Sequence, residues 1–292
     1  MSKRYLENTV ITLKNYKIFI NEILGSGSFA KVYNGVCNLT GKIVAIKVVP
    51  KYKLRTYGAK DRIFREIDIS EQVSHHPNIP TFYEHFEDMY RHYLVFEKID
   101  GIELFQYLVD NGKLDEEKAR DLFIKILEVV EFLHSKGICH RDIKIENIMI
   151  GYSQKLKVCE TISDVSKTLD FSKIYLVDFG FAIKTSNANV LNEKCGSHFN
   201  YPPELCEFKL YNGFKYDIWT LGNILYVILV GRRAFASESE HEVTEKIKFG
   251  NYNETQDITP EARKLIERIF VVDSLHRPIV SEILNDPWVT KI

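Results

Sequence analysis

The sequence predicts an α+β fold of two lobes, because strand-like segments dominate its first third and helical segments dominate the rest. The predicted strands, rich in β-branched and aromatic residues, are 16–24, 31–36, 42–49, 82–87 and 92–96. One helix is expected among them, over residues 61–74. Apolar residues at helical intervals predict further helices over 115–136, 214–230 and 260–271. The change of character across residues 97–101 predicts a cleft between the lobes, where ligands tend to bind.

Composition and charge limit the classes of protein to which the chain can belong. Of its 292 residues, 45% are hydrophobic and 27% charged, and the net charge is -1, which argues against a general nucleic-acid binder or a membrane-surface protein. The five cysteines are odd in number and lack CxxC spacing, so reduced thiols are favoured over a disulfide frame or a zinc site. Residues 1–5 lack an apolar signal core, and the longest apolar run, 224–230, is too short to cross a bilayer. We therefore expect a soluble intracellular protein, cytoplasmic, nuclear or both, without nucleic-acid or membrane partners.

A glycine-rich turn lies between the first two predicted strands. Its residues are Gly25, Ser26, Gly27, Ser28, Phe29, Ala30, Lys31 and Val32. Small residues at such a turn let backbone N–H groups approach a phosphate closely. Two alternatives are a glycine hairpin that binds no ligand and a dinucleotide-binding turn. The second needs a helix directly after the glycines, whereas this sequence predicts a strand there.

Two short strings carry the side chains that phosphoryl transfer requires. Residues 140–147 read His-Arg-Asp-Ile-Lys-Ile-Glu-Asn, and residues 178–180 read Asp-Phe-Gly. Asp142 lies two residues before Lys144 and five before Asn147, so one loop can direct all three side chains into one cleft. Transfer of a phosphoryl group needs a carboxylate to orient the acceptor hydroxyl, a cation beside the migrating group and oxygen ligands for magnesium.

Together with residues elsewhere, these strings resemble the eukaryotic protein kinases. Lys47 in Val-Ala-Ile-Lys resembles the strand lysine of that family, and Glu66 on the next predicted helix resembles its ion-pair partner. The resemblance continues through residues 195–197 (Cys-Gly-Ser), 201–204 (Tyr-Pro-Pro-Glu), 217–219 (Asp-Ile-Trp), Arg277, which matches the arginine that pairs with Glu204, and 284–288. It covers roughly residues 16–288 and is most similar to serine/threonine kinases of the calcium/calmodulin-dependent and AMP-activated group.

The resemblance implies a two-lobed protein-kinase fold with a β-rich N-lobe and a mainly helical C-lobe. We expect an N-terminal lead over residues 1–15, a kinase domain over 16–289 and a tail over 290–292. The N-lobe would span about 16–97 and the C-lobe about 102–289. The polar stretch 151–173 is expected to be an insertion, either a tolerated surface loop or a docking element.

The resemblance also assigns roles within a nucleotide and catalytic site. Asp142 would orient the substrate hydroxyl and accept its proton, and Lys144 would stabilise the transferring phosphoryl group. Asn147 and Asp178 would bind Mg2+. His140 would tie the catalytic loop to the Asp-Phe-Gly segment. The residues expected to bind ATP are Leu24, Gly25, Ser26, Gly27, Ser28, Phe29, Ala30, Lys31, Val32, Ala45, Lys47, Glu66, Glu97, Ile99 and Met149.

Two residues in the N-lobe depart from the family pattern. Ala30 replaces the third glycine of the turn, which a small side chain permits. Ser70, one turn after Glu66, replaces an apolar residue that packs this helix against the core. We therefore expect the position of the helix to be less firmly held, with no catalytic group removed.

A third departure concerns regulation. Glu193 lies where similar kinases carry a threonine, whose phosphate orders the segment against the arginine of His-Arg-Asp. We expect Glu193 to supply a single negative charge to Arg141 instead; the alternative is an exposed glutamate with no such role. Thr185 and Ser186 are candidate phosphorylation sites.

Two further acidic residues concern the choice of substrate. Glu103 and Glu146 match positions that, in related kinases, attract basic residues N-terminal to the phosphorylated serine or threonine. The match predicts a mild preference for arginine or lysine on that side.

The expected function is that of a serine/threonine protein kinase that uses ATP and Mg2+. The alternative is a pseudokinase that keeps the fold and scaffolds partners, although such proteins usually lose one of Lys47, Asp142 and Asp178, all present here. We expect a monomer that acts on protein substrates. Because few residues follow Trp288, control is expected to come from the domain itself or from a regulatory partner.

Overall fold

The computed structural model describes residues 10–55, 58–154, 167–185 and 191–291. The chain divides into two compact units, Met1–Asp100 and Gly101–Ile292. The first unit is built on a β-sheet and the second is mainly helical, which confirms the predicted α+β class.

The first unit contains a six-stranded antiparallel sheet and one long helix. Its strands are β1 (Val10–Leu13), β2 (Tyr16–Ser26), β3 (Lys31–Cys37), β4 (Ile43–Pro50), β5 (Phe82–Glu87) and β6 (Arg91–Glu97). They are hydrogen-bonded in the order β1-β2-β3-β4-β6-β5, and helix α1 (Ala59–Val73) connects β4 to β5. The five strands and the helix predicted for this part of the chain are confirmed within two residues at each end.

Strand β1 corrects the prediction that residues 1–15 form a lead outside the domain. Val10 pairs with Phe19 and Leu13 with Tyr16, so residues 10–13 form an edge strand of the sheet. The chain turns back at Lys14, whose φ is 52°. A stretch of four residues is too short to show the alternation that predicts a strand, and its order depends on the neighbouring strand β2.

Alternating side chains of the sheet form the core of the first unit. Tyr16, Ile18, Val44, Ile46 and Val95 are buried in one cluster. A second cluster joins helix α1 to the sheet through Ile63, Val49, Phe82 and Leu94. Because β4 lies in the middle of the sheet and contributes to both clusters, its backbone is fixed on both sides.

The second unit consists of helices with two small sheets. Its helices are α2 (Leu104–Asn111), α3 (Glu116–Ser135), α4 (Pro203–Cys206), α5 (Gly213–Val230), α6 (Glu240–Phe249), α7 (Pro260–Ile269), α8 (Val280–Leu284) and α9 (Pro287–Thr290). Its strands are β7 (Gly101–Glu103), β8 (Ile138–Cys139), β9 (Ile148–Gln154), β10 (Lys167–Leu176) and β11 (Ile183–Lys184). They pair as β10-β9-β7 and as β11-β8.

Helix α5 lies at the centre of the second unit, as its mostly apolar sequence predicts. Asn212 caps it by accepting from the backbone N–H groups of Phe214 and Lys215, and Gly231 ends it with φ 80°. Most of its residues are buried, including the polar Asp217. Helix α5 therefore brings a carboxylate into the interior, where it must find hydrogen-bond donors.

The two ends of the stretch predicted to be a polar insertion, residues 151–154 and 167–173, lie on paired β-strands. Strand β9 continues to Gln154, β10 begins at Lys167, and these two residues are paired across the hairpin. The ring of Phe171 on β10 packs edge-on against Tyr107 of α2, with 5.2 Å between ring centroids. Strands thus extend into both ends of the predicted insertion 151–173, which stays a prediction, and residues 155–166 lie outside the described part.

One predicted scaffold contact is confirmed in the second unit. Arg277 donates from both terminal nitrogens to Glu204, at 2.9 and 2.8 Å, and both residues are buried. Of the cysteines, Cys37, Cys139, Cys195 and Cys206 are buried and free, whereas Cys159 lies outside the described residues. Within the described ranges, every helix is too short or too polar to cross a membrane.

Candidate active site

The carboxylate of Asp217 fixes the loop that precedes the predicted catalytic residues. Asp217 is fully buried on α5, and its Oδ1 and Oδ2 accept from the backbone N–H groups of Arg141 and His140 at 2.8 and 2.9 Å. His134 Nε2 lies 3.0 Å from Oδ2. These bonds hold Arg141 at φ 63°, a backbone conformation that non-glycine residues rarely adopt.

The next residue, Asp142, is oriented by hydrogen bonds to three side chains. Lys144 Nζ donates to its Oδ2 at 2.7 Å, and Asn147 Nδ2 donates to the same oxygen at 3.1 Å. Ser197 Oγ lies 3.3 Å from Oδ1 and also accepts from Lys144 Nζ at 2.9 Å. The structure thus brings together the three side chains that the sequence predicted to share one loop, and adds Ser197.

A backbone hydrogen bond lies beside the two predicted magnesium ligands. Val177 N donates to Asn147 O at 2.9 Å, and Asp178 is the residue after Val177. Asn147 Nδ2 donates to the backbone oxygen and to Oδ2 of Asp142. The amide oxygen Oδ1 is therefore the atom of Asn147 that could bind a cation. Asp178 has φ 63°, and its exposed side chain accepts from Gly180 N at 3.2 Å.

This donor set fits Mg2+ by its chemistry. Amide and carboxylate oxygens are the hard ligands that Mg2+ prefers, and the ion usually completes its shell with phosphates and water. Within the described ranges, no group of three or more His, Cys, Asp or Glu side chains could hold a metal ion. Asn147 and Asp178 would therefore supply a partial shell rather than a complete cage.

His140 links the catalytic loop to the Asp-Phe-Gly segment, as predicted. Its ring packs edge-on against Phe179, with 5.1 Å between ring centroids, and both side chains are buried. Burial lowers the pKa of His140, against the pull of the nearby carboxylates. The imidazole is therefore neutral at neutral pH and serves as packing.

In the first unit, there is open space beside two glycines of the glycine-rich turn. A Cβ on Gly25 would lie 4.0 Å from Val32, and one on Gly27 would lie 3.8 Å from Ala30 O. Neither glycine has a positive φ. Both positions would accept alanine sterically, so the open space is of the kind that an approaching phosphate would use.

The buried ion pair of the first unit matches the predicted partners. Lys47 Nζ contacts Glu66 Oε1 at 2.5 Å, with side-chain exposures of 14% and 7%. Lys47 lies on the central strand β4, paired with Val32 and Leu94 on either side, and Glu66 lies on α1. Because β4 and α1 are both packed into the core, the ammonium group of Lys47 has a fixed position relative to the sheet.

Ser70 lies one turn further along α1. Its side chain is buried, and its Oγ has no hydrogen-bond partner among the described residues. An unsatisfied buried hydroxyl costs about 1–3 kcal/mol. This cost agrees with the expectation that helix α1 is less firmly held than in similar kinases.

The remaining residues predicted to bind ATP, through its adenine ring, lie on strands or directly after them. Val32 lies on β3 and Ala45 on β4, while Met149 lies on β9 in the second unit. Glu97 ends β6, and its N–H donates to Thr81 O at 2.8 Å, so any adenine contact by Glu97 must come from its carbonyl group. Ile99 follows in the connecting segment.

The outer residues of the turn are exposed. Leu24, Ser26, Ser28, Phe29 and Lys31 are all accessible, whereas Ala30 is buried. The carbonyl of Ser28 accepts from Lys53 Nζ at 2.6 Å, which ties the tip of the turn to the segment after β4.

Arg141 and Glu193 form the contact that the sequence predicted. Arg141 Nη2 donates to Glu193 Oε2 at 2.9 Å, and its guanidinium has no exposure to solvent. Nη1 donates to Tyr211 Oη at 2.9 Å, and Nε donates to Phe181 O at 2.8 Å. Each nitrogen of the guanidinium thus has an acceptor, as a buried charge requires.

Glu103 and Glu146 form an acidic pair at the start of helix α2. Glu103 ends β7, where it is paired with Met149 on β9, and Glu146 lies three residues before Met149. Partial burial and the charge of Glu146 raise the pKa of Glu103. A nearby cation would relieve the repulsion between the two carboxylates.

Ser197, Tyr211 and the carbonyl of Phe181 were not predicted as site residues. Ser197 lies in the Cys-Gly-Ser string, and the match of this string to the kinase family was the available signal. Tyr211 contacts Arg141 across 70 residues of sequence, and no local pattern indicates that contact. Thr185 is described at the end of β11, whereas Ser186 lies outside the described residues.

Known proteins resemble this chain over nearly its whole length. The family model for the protein kinase domain matches residues 19–289. The SNF1-related protein kinase catalytic subunit alpha KIN12 of Arabidopsis thaliana is 36% identical over 287 residues, which cover 98% of this chain and 54% of that protein. Sucrose non-fermenting protein kinase 1 of Fusarium virguliforme is 34% identical over 275 residues, covering 94% of this chain and 36% of that protein. The chain therefore spans about half and about a third of the lengths of these two relatives.

The space at Gly27 leads to a prediction that separates ligand binding from folding. Gly27→Ala is expected to change the free energy of unfolding by less than about 1 kcal/mol, because the new methyl group meets no close atom. Affinity for a non-hydrolysable ATP analogue should fall about tenfold, since the methyl group occupies the path of the phosphates. Calorimetric titration and chemical denaturation measure the two quantities.

Gly35→Ala is the matched control on the neighbouring strand. Its Cβ would lie 2.6 Å from Ile46 Cδ1 and 2.9 Å from Lys17 O, so this variant should lose about 1–3 kcal/mol of stability. Unchanged nucleotide affinity in Gly27→Ala would show that the turn keeps its glycine for another reason.

Proposed function

Because the chain belongs to the protein kinase family, we propose that it transfers the γ-phosphate of ATP to serine and threonine hydroxyls of protein substrates. The observation that carries the proposal is the arrangement at Asp142, where Lys144 and Asn147 converge on one carboxylate oxygen. The retained Lys47–Glu66 pair in the first unit supports it. So does the similarity to two kinases that are named for the SNF1 group.

The arrangement at Asp142 suits a base that receives a proton from a hydroxyl. Its Oδ2 is occupied by Lys144 and Asn147, so Oδ1 is the oxygen that faces a hydroxyl, at present that of Ser197. A substrate hydroxyl would donate to Oδ1 and pass its proton there as the phosphoryl group arrives. Lys144 Nζ would lie beside the transferred group and offset its negative charge.

Phosphates and Mg2+ would be held by different groups. In the first unit, the N–H groups of the glycine-rich turn and Lys47 would bind the phosphates, with Glu66 keeping the ammonium in place. In the second unit, Asn147 and Asp178 would hold Mg2+. When bound, Mg2+ neutralises phosphate charge and aligns the groups for in-line transfer.

The acidic pair Glu103 and Glu146 would select the substrate. A bound cation would relieve the electrostatic repulsion between the two carboxylates. A peptide with arginine or lysine N-terminal to the phosphorylated residue would therefore be preferred. Lys144 two residues after Asp142 is the sequence feature that favours serine and threonine over tyrosine as acceptors.

Glu193 would replace activating phosphorylation. Arg141 is fully buried and its charge needs a partner, which the carboxylate of Glu193 supplies at 2.9 Å. The half-buried position of Glu193 strengthens the pair relative to one on the surface.

Asp142→Asn tests the reaction itself. The variant should lose about 10²–10⁴-fold in kcat for transfer of labelled phosphate to a basic peptide library, because the amide cannot accept the proton. Its affinity for an ATP analogue and its stability should remain near those of the unaltered protein. If the folded unaltered protein binds ATP but transfers no phosphate, the alternative of a scaffolding pseudokinase is favoured.

The raised pKa of Glu103 predicts that peptide recognition depends on pH. The group is protonated at a higher pH than an ordinary glutamate, and only its ionised form attracts a cation. The KM for an arginine-containing peptide should therefore rise as pH falls from about 8 towards 5, by about two- to fivefold for an exposed ion pair. Glu103→Gln should have the higher KM throughout and a flatter pH profile. A matched alanine peptide serves as control, and an equal slope for both peptides would count against this role.

Glu193→Gln tests the replacement of phosphorylation. Removing the charge leaves buried Arg141 without its anionic partner, so kcat/KM of protein shown by mass spectrometry to be unphosphorylated should fall about tenfold. Glu207→Gln is the control, because Glu207 makes an exposed pair with Lys209 at 2.7 Å in the same unit. Unchanged activity of Glu193→Gln would support the alternative of an exposed glutamate without a regulatory role.

A further inference from the structure

The hydroxyl of Tyr211 joins the side chain of Arg141 to the backbone of the segment that carries Glu193. Tyr211 Oη accepts from Arg141 Nη1 at 2.9 Å and donates to Glu193 O at 2.8 Å. The side chain is buried, with 3% exposure, and burial raises its pKa, so the hydroxyl keeps the proton that it donates. One hydroxyl thus satisfies both a buried cation and a backbone carbonyl.

The backbone of Tyr211 holds the same segment. Leu191 N donates to Tyr211 O at 3.1 Å, and Tyr211 N donates to Leu191 O at 2.9 Å. These bonds form an isolated antiparallel bridge two residues before Glu193. Tyr211 therefore makes three hydrogen bonds to residues 191–193, two through its backbone and one through its side chain.

Two further tyrosines continue this attachment along the segment. Tyr216 Oη donates to Cys195 O at 2.9 Å, and Tyr201 Oη donates to Gly196 O at 3.4 Å. The rings of Tyr211 and Tyr216 pack edge-on, with 5.7 Å between centroids. The segment then reaches Ser197, whose hydroxyl contacts Lys144 and Asp142.

Arg141 in turn connects the two ends of the segment. Its Nε donates to Phe181 O, directly after the Asp-Phe-Gly string, while Nη2 reaches Glu193. A guanidinium is planar, so fixing Nη1 on Tyr211 fixes the directions of the other two donors. The orientation of the Arg141 guanidinium, and with it the contact to Glu193, depends on the Tyr211 hydroxyl.

We propose that Tyr211 is a positioning residue that orders the segment 191–197 through Arg141 and Glu193, and so sets Ser197 against Asp142. The inference rests on the proposed kinase function and extends it. The ring would fill its place in the packing without the hydroxyl, so the role lies in the oxygen atom. Loss of that oxygen leaves one buried guanidinium nitrogen and one carbonyl without their partner.

Tyr211→Phe tests the proposal, with Tyr226→Phe as the matched control. Tyr226, on α5, is also buried and also donates to a backbone carbonyl, that of Asn253, so each variant removes one buried hydroxyl. Tyr211→Phe should lower kcat/KM for a basic peptide about tenfold, mainly through a higher peptide KM, with the affinity for an ATP analogue unchanged. Tyr226→Phe should stay within about twofold of the unaltered protein.

A double-mutant cycle shows whether Tyr211 acts through Glu193. If it does, Tyr211→Phe and Glu193→Gln together should lose about as much as either alone, rather than the product of the two losses. Multiplicative losses, or a Tyr211→Phe variant that behaves like Tyr226→Phe, would overturn the proposal.

Amide exchange separates this proposal from the proposed function. Tyr211→Phe should accelerate deuterium uptake in a peptide spanning residues 191–201, and Tyr226→Phe should not. This measurement needs no catalysis. If the unaltered protein transfers no phosphate, the kinase proposal fails while the exchange result still decides the role of Tyr211.

Discussion

The buried carboxylate of Asp217 is the constraint on which the catalytic loop depends. Helix α5 carries it into the interior of the second unit because the rest of the helix is apolar and must be buried. An isolated carboxylate in that position would cost several kcal/mol, so it requires the N–H groups of His140 and Arg141. These are the two residues before Asp142. The bonds that satisfy Asp217 therefore also set the direction in which Asp142 points before any substrate arrives, which is the preorganisation that catalysis requires.

The same bonds allow Arg141 to occupy an unfavourable backbone conformation. A non-glycine residue at φ 63° costs of order 1–3 kcal/mol and persists only where its surroundings fix it. Asp217 holds its N–H, and Phe181, Tyr211 and Glu193 hold its side chain. From this turn the guanidinium reaches Glu193 in the segment 191–197. One short loop thus carries both the proposed base, Asp142, and a buried cation.

The sequence predicted the parts of this arrangement that depend on neighbours along the chain. Asp142, Lys144 and Asn147 share a loop, so their spacing alone indicated that they act together. Helix α5 was predicted because apolar residues recur at helical intervals along it. Strand β1 was missed because four residues gain their order only by pairing with β2, and the hairpin ends at Gln154 and Lys167 depend on register with each other.

Contacts that span long stretches of sequence were predicted only where a family motif supplied both partners. The motif names Lys47 with Glu66 and Glu204 with Arg277, and both pairs are present. Ser197 and Tyr211 reach the catalytic loop from 55 and 70 residues away, and neither residue type is unusual enough to reveal a role. A tyrosine before a helix is usually a packing residue. Only the position of its hydroxyl, between a buried cation and a carbonyl, distinguishes this one.

If Glu193 replaces a phosphate as proposed, the hydrogen bonds of Arg141 would compensate for its smaller charge. A phosphate offers up to two negative charges and three acceptor oxygens, whereas Glu193 offers one charge and meets Arg141 through one oxygen. The remaining acceptors come from neutral groups, the hydroxyl of Tyr211 and the carbonyl of Phe181. Because these are already fixed by the fold, each guanidinium nitrogen has an acceptor, and Glu193 supplies a carboxylate to the side chain. The smaller charge of the carboxylate is thus offset by a protein environment that supplies the missing acceptors in advance.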